Sequence, residues 1–414
     1  MSEGDSRVAD ELEESFKLLK HLGRGGFADT WQAQVLDQEL IEEFGRDEVA
    51  LKIPLNRKKE QVLKRELAMN AALHLRLKDL QSRNLVRYLG FDKFRNKIVM
   101  VMEYVGQGSL RRMTGEIGRQ KPLPVDEAVE IAEGILSGLM VIHQEHVFHR
   151  DIKPENILMD GRTPKIADLG IARMLDANEL ASTSIGSLPY MSPEILGKEG
   201  ASFTSDIWSL GVTFYEMLTG SLPFGDMDTP PGSLIDLIRD AEPVPPAEVS
   251  TEIPTALNEI VMRALRKRAS ERFPSAEEMY EALKRFREAS RSQVDQDIAS
   301  IRELLSRPGD PCEAEERLRE LVAKYPNDPR GRQYLGEFYN RCQRYEEAIA
   351  TFKRGIELEP ENALLHWDLA LAYRGAGKRG AAAGCLEKAI ALGLDAGLGR
   401  HAATLLRTLQ GAEP

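Results

Sequence analysis

Eight consecutive residues, His149-Arg150-Asp151-Ile152-Lys153-Pro154-Glu155-Asn156, place an acid, an ammonium and an amide in one short stretch. A hydroxyl that attacks a phosphoryl group must shed its proton, and Asp151 is a carboxylate able to accept it. Lys153, two positions on, would neutralise the charge building on the transferred phosphate. Asn156 offers an amide oxygen, a hard ligand of the kind Mg2+ takes. The chemistry these residue types suit is phosphoryl transfer to a hydroxyl. A charged surface turn beside Pro154 is the plain alternative, so the rest of the chain has to supply the remaining parts.

Several elements are spaced to do so. Asp126 to His146 carries Ala128, Ile131, Ala132, Ile135, Leu139 and Ile142 at helical spacing, which predicts an amphipathic helix delivering the chain to His149. After the octet, Ile157-Leu158 and Lys165-Ile166-Ala167 flank Asp160-Gly161, which predicts a hairpin ending at Asp168. One hairpin between Asp151 and Asp168 brings both carboxylates to one cleft. Near the start, Leu18, Leu19 and Leu22 lead into Gly23-Arg24-Gly25-Gly26-Phe27-Ala28-Asp29-Thr30-Trp31, apolar strand pieces around a turn whose glycines let backbone N–H groups approach phosphates. Val49-Ala50-Leu51-Lys52 is a short strand ending in a cation. A helix is expected from Lys58 to Leu75, with Glu66 on it, and strands at Leu85–Gly90 and Ile98–Met102.

Taken in order, these motifs resemble the eukaryotic-type (Hanks-type) protein kinase family, whose catalytic loop reads H-R-D-x-x-x-x-N. The Lys153 position is characteristic of the serine/threonine branch. The resemblance implies an α+β two-lobed protein kinase fold binding ATP and Mg2+ between its lobes. It implies that Asp151, Lys153, Lys52 and Glu66 are catalytic, Glu66 ahead of Glu60 as the partner of Lys52, and that Asn156 and Asp168 hold metal. It further implies that Leu22, Gly23, Gly25, Thr30, Ala50, Lys52 and Leu158 line the nucleotide, with Met102 as gatekeeper and the backbone of Glu103 and Val105 bonding adenine. Ala28, Thr30 and Leu169 depart from the family's Gly, Val and Phe, which leaves a nucleotide-binding pseudokinase scaffold as the alternative. Gly186 to Glu194 is similar to the family's peptide-docking segment, with Arg272 as the implied partner of Glu194. Asp206 falls where the family braces its catalytic loop. Ser182, Thr183 and Ser184 are expected sites of autophosphorylation in an activation loop.

Beyond this region the chain repeats. Leu335, Tyr339, Ala348, Phe352 and Leu358 recur as Leu369, Tyr373, Ala382, Leu386 and Leu392, each pair 34 positions apart. That period resembles the tetratricopeptide repeat, two antiparallel helices per unit, and an all-α repeat solenoid is implied. A degenerate repeat is expected from near residue 295, and the second clear repeat is expected to present Leu364, Trp367, Leu371 and Arg374 in a groove that takes a protein or peptide ligand, the alternative being that Trp367 packs against the closing helix or the kinase lobe. The boundaries expected are a flexible acidic arm at 1–15, a kinase domain at 16–287, a linker at 288–298, with a continued helix as the alternative there, and repeats at 299–411.

Bulk composition fits this reading. With 55 Lys+Arg against 66 Asp+Glu the net charge is -11, which argues against nucleic acid or an anionic membrane as the main partner. Protein substrates are the expected ones. Cys312, Cys342 and Cys385 are odd in number, with no metal-site spacing, and read as reduced thiols. No apolar run approaches the ~20 residues of a membrane span, and no secretory signal is seen at the N-terminus, so a cytoplasmic location is expected.

Overall fold

Strand segments rich in Val, Leu and Ile pair into one antiparallel sheet of order β1-β2-β3-β5-β4, made of β1 (Phe16–Arg24), β2 (Ala28–Val35), β3 (Glu48–Pro54), β4 (Tyr88–Phe94) and β5 (Lys97–Glu103). The computed structural model describes residues 15–24, 28–55, 82–94, 97–115, 121–168, 185–226, 228–306 and 311–410. Residues 1–14 of the arm expected at 1–15 lie outside them, as does the expected helix from Lys58 to Leu75.

Side chains alternate across a strand, so register decides which residues share a face. Lys52 is paired with Thr30 and Met100, and Ala50 with Gln32 and Met102, which sets these residues on one face. The opposite face carries Ala33, Val49, Leu51, Ile53 and Val101 in a buried cluster, packed against Leu40, Ile41 and Phe44. Those three belong to α1 (Gln38–Phe44), a helix between β2 and β3 that no motif announces. Asp37 caps it by accepting from the N–H groups of Glu39 and Leu40, and Gly45 ends it at φ 68°.

The chain then passes α2 (Leu110–Thr114) into α3 (Val125–Gln144). The apolar stripe of α3 is buried throughout, from Ala128 to Ile142. Two glycines on this helix permit a close approach. A Cβ at Gly134 would lie 2.4 Å from Pro164, and one at Gly138 2.8 Å from Ile166. Pro164 and Ile166 belong to β7 (Thr163–Ile166), which pairs with β6 (Ile157–Asp160) as a hairpin. The hairpin that ends at Asp168 therefore rests directly on α3. Around them α4 (Phe203–Thr219), α5 (Pro231–Asp240) and α6 (Thr255–Ala264) complete a helical core in which Trp208 and Phe214 are wholly enclosed.

By contacts the chain divides into two compact units, Met1–Phe286 and Arg287–Pro414. Residues 288–298, expected as a linker or a continued helix, are helical, because α7 (Ala276–Ser306) runs through them. Val294 and Ile298, one helical turn apart among charged neighbours, are buried in the core of the second unit with Leu318 and Leu335. The polar average hid an apolar seam.

The second unit continues with α8 (Pro311–Lys324), α9 (Pro329–Arg341), α10 (Tyr345–Leu358), α11 (Ala363–Gly375), α12 (Arg379–Ala391) and α13 (Ala396–Leu409). Helices α9 and α11 start at 329 and 363, α10 and α12 at 345 and 379, so the sequence period is also a structural one. Asp328 and Asn362 occupy equivalent N-caps, each accepting from backbone N–H groups of the helix it opens. Of the two places expected for Trp367, the groove and the closing helix, it takes the second. It is partly buried against Ala370, Leu386 and Ala402, beside Leu405 and Leu406 of α13, because a large indole is stabilised by the closing helix. Leu364 and Arg374 stay exposed.

Candidate active site

The octet is held from below by one carboxylate. Asp206, in the first turn of α4 and fully buried, accepts from the Arg150 N–H at 2.7 Å through Oδ1 and from the His149 N–H at 2.8 Å through Oδ2. Arg150 sits at φ 66°, a left-handed conformation that costs a non-glycine residue about 1–2 kcal/mol. The two hydrogen bonds that Asp206 accepts offset that cost and fix the turn. His143 adds a contact from α3, its Nε2 lying 2.9 Å from Asp206 Oδ2.

His149 is wholly buried, and burial pushes its imidazole pKa down. The ring is therefore neutral, and its partners assign the tautomer: Nδ1 accepts from the Asp151 N–H at 3.3 Å, so Nε2 carries the proton donated to the Ala167 carbonyl at 3.0 Å. One imidazole thus ties the residue before Asp168 to Asp151. The sequence reading gave His149 no role of its own, although a histidine beside the acid was a visible signal.

Above this brace the reactive groups converge. Asn156 Nδ2 donates to the Asp151 carbonyl at 2.8 Å and to Asp151 Oδ2 at 3.0 Å. Lys153 Nζ lies 3.3 Å from Asp151 Oδ2 and donates to Ser187 Oγ at 2.6 Å. From the five-stranded sheet, Lys52 Nζ reaches Asp168 Oδ1 at 2.9 Å. Asp168 itself is at φ 55°. The arrangement presents one carboxylate, Asp151, oriented between Lys153 and Asn156, and a second, Asp168, paired with Lys52, a set able to accept a proton and to gather anionic oxygens.

The residues expected around a nucleotide take these places. Leu22 and Gly23 lie at the end of β1, with Gly23 paired to Thr30 and Thr30 in turn to Lys52. Ala50 is buried opposite Met102, Glu103 closes β5, and Val105 is buried just beyond. Leu158 lies on β6, cross-strand from Lys165 and bridged to Ser109. Gly25, Glu66, Leu169, Ser182, Thr183 and Ser184 fall outside the described residues.

A model of the protein kinase domain matches residues 16–283. The chain belongs to the protein kinase family. A model of the TPR repeat matches residues 336–377. Among curated relatives, a probable serine/threonine-protein kinase PknB of Lactococcus lactis is 31% identical over 285 residues, covering 66% of this chain and 42% of the relative. A probable serine/threonine-protein kinase of Clostridium acetobutylicum is 30% identical over 346 residues, covering 81% of this chain and 48% of the relative. A mitogen-activated protein kinase kinase, MST7 of Pyricularia oryzae, is 30% identical, covering 69% of this chain and 68% of the relative. The chain thus spans less than half the length of the two bacterial relatives. A crystal structure of Rad53 in complex with AMP-PNP has the same fold over 68% of this chain and 69% of its own, with a TM-score of 0.52 at 24% identity.

Two further networks brace the kinase domain around the loop. Arg272 donates from Nη1 and Nη2 to the two oxygens of Glu194, both at 2.8 Å, and its other N–H groups go to the carbonyls of Thr204, Arg266 and Lys267. Burial raises the Glu194 carboxyl, but the guanidinium outweighs it and the net pKa falls below the usual carboxylate range. The second network was not anticipated. Arg111 on α2 donates to Glu155 of the octet at 2.7 Å, to the Tyr190 hydroxyl at 2.5 Å and to Glu216 of α4 at 2.6 Å, while Tyr190 donates to Glu216 at 2.6 Å. It links the loop, the segment before Pro193 and α4 through one guanidinium. Among the described residues no helix is long and apolar enough to cross a membrane.

Proposed function

We propose that this chain transfers the γ-phosphate of ATP to serine or threonine hydroxyls of protein substrates, and that its repeats hold a protein partner or substrate in the cytoplasm. The observation that carries the reading is the Asp151 carboxylate held between the Asn156 amide and the Lys153 ammonium. Asp151 orients the substrate hydroxyl and takes its proton as the bond to phosphorus forms. Lys153 neutralises charge on the transferred group, and Lys52, freed from Asp168, grips the non-transferred phosphates. Glu66 would steady Lys52. Leu22, Gly23, Gly25, Thr30, Ala50 and Leu158 would enclose the nucleotide, with the backbone of Glu103 and Val105 on adenine.

The donor set suits Mg2+. Asn156 spends its N–H2 on Asp151, which leaves its amide oxygen as a hard donor, and Asp168 keeps a second carboxylate oxygen beyond the one that meets Lys52. Two protein ligands suffice for an ion that otherwise takes phosphate oxygens and water. Bound with ATP, the ion neutralises phosphate charge and aligns the γ-phosphate. Incubating the full chain with labelled ATP and Mg2+, with casein as a generic protein substrate, tests the proposal: incorporation is expected, and is expected to vanish in Asp151→Asn. No incorporation by a folded wild-type chain that still binds nucleotide would favour the pseudokinase scaffold instead.

A further inference from the structure

Glu103 closes β5, and only its backbone has a part in the nucleotide reading above. Its side chain has a different environment. Glu103 pairs with Val49 whereas Met102 pairs with Ala50, so strand alternation turns the Glu103 carboxylate to the face opposite Ala50 and Lys52. There it is 9% exposed, and its Oε1 accepts from the Arg87 backbone N–H at 2.8 Å and from Lys165 Nζ at 2.9 Å. Arg46 approaches Oε2 at 3.7 Å.

These partners come from both sides of the cleft. Arg46 follows α1, and Arg87 leads into β4 and donates from its guanidinium to the Phe44 carbonyl at the end of α1, at 3.0 Å. Both flank strands of the five-stranded sheet, Arg46 just before β3 and Arg87 just before β4. Lys165 belongs to the β6–β7 hairpin, where it is the cross-strand partner of Leu158, and only 12% of its side chain is exposed. Its other carboxylate neighbour, Asp160 at 3.8 Å, is 65% exposed and screened by water. One enclosed carboxylate therefore joins the sheet to the hairpin that ends at Asp168.

We propose that Glu103 and Lys165 form a hinge latch, a pair of positioning residues that set the spacing between the adenine-bonding backbone of Glu103 and Val105 and the Leu158 floor. The proposal rests on the adenine placement of the preceding subsection. An ion pair this enclosed is weakly screened by salt, and it adds a side-chain tie at the hinge strand to the backbone bonds that Asn84 and Val86 make with Ile166. A hinge strand released by an ångström would spoil the fit to the base. The latch acts on binding more than on chemistry, and on the base more than on the phosphates.

Lys165→Met keeps the side-chain length and removes the charge, whereas Lys165→Arg keeps the charge. Binding of adenosine and of ATP to the full chain is measured by calorimetry, alongside steady-state kinetics. In Lys165→Met the affinity for both ligands is expected to fall by the same factor, on the order of tenfold. The KM for ATP should rise by that factor while kcat at saturation stays within about twofold, and Lys165→Arg should restore binding. Glu103→Gln, which retains an acceptor for the Arg87 amide, should show the same affinity loss and stands in if Lys165→Met does not fold. Unchanged adenosine affinity, or a loss confined to ATP, overturns the latch. So does failure of both variants to fold, which would make the pair a structural ion pair. A wild-type chain that transfers phosphate but binds no adenosine would overturn the adenine placement and the latch together, leaving the reaction standing.

Discussion

Lys52 Nζ and Asp168 Oδ1 meet at 2.9 Å although 116 positions separate them in the chain. The cation comes from β3 in the sheet and the acid from the segment that follows β7, so this contact spans the cleft the two sheets form. Lys52→Met and Asp168→Asn should each lower phosphoryl transfer by at least ~100-fold, since each removes charge stabilisation from the transferring group. Stability should change little in Lys52→Met, because the Asp168 side chain is 42% exposed and no buried charge is stranded, whereas Asp168→Asn takes an ion-pair partner from the enclosed Lys52 and should cost more. Phosphate incorporation measured beside thermal melts checks both halves, and a folded variant transferring at the wild-type rate refutes the assignment.

Arg272 behaves differently because its side chain is fully enclosed and all its donors are engaged, two of them by Glu194. Arg272→Met leaves Glu194 half-buried without its cation and strands several carbonyls. A loss of about 3–5 kcal/mol in urea unfolding is expected. Arg272→Lys should recover only a small part, since an ammonium cannot reproduce the planar fork. A Lys variant as stable as wild type would show that charge alone matters here.

The repeats carry a pH dependence. Asp368 on α11 is 7% exposed, and burial, followed by repulsion from Glu337, pushes its carboxyl from 3.8 up to about 7, only partly opposed by the Gln333 amide that donates to it at 3.1 Å. A carboxyl with a raised folded pKa binds its proton more tightly in the folded state. Stability is therefore highest below the unfolded value, and declines as pH rises through the interval up to about 7. Asp368→Asn should gain on the order of 2–4 kcal/mol over wild type at pH 8 and flatten the dependence. Hydrogen exchange in α9 and α11 at pH 5 and pH 8, corrected for intrinsic rates, reads this directly; equal protection of wild type at both pH values would contradict it.

Gly336 tests the repeat packing. A Cβ there would lie 2.5 Å from the Phe352 ring, so α9 and α10 approach as closely as they do only because no side chain intervenes. Gly336→Ala should destabilise the second unit by about 1–3 kcal/mol despite the better helix propensity of Ala. Retained or raised stability in the melt of that variant would mean the Phe352 ring can swing aside.

What was legible in the sequence was whatever is encoded locally or by period. The octet from His149 to Asn156, the hairpin around Asp160-Gly161, the apolar stripe of α3 and the 34-residue repeat all depend on residues near one another in sequence, or on a spacing that recurs. Their residue types announce what chemistry and what packing they suit. Even the long-range pair Glu194–Arg272 could be named, because each member sits in its own recognisable segment.

Tertiary structure alone decided the contacts that have no local signature. Whether Glu103 offers the nucleotide its side chain or only its backbone depends on strand parity relative to Val49 and Ala50. That Arg111 gathers Glu155, Tyr190 and Glu216 depends on where α2 lies against α4. Val294 and Ile298 look like a solvated stretch until α8 and α9 cover them, and Trp367 looks like a ligand contact until α13 closes over it. In each case the side chain has more than one physically acceptable partner, and the choice is made by which element packs beside it, a relation that no short stretch of sequence contains.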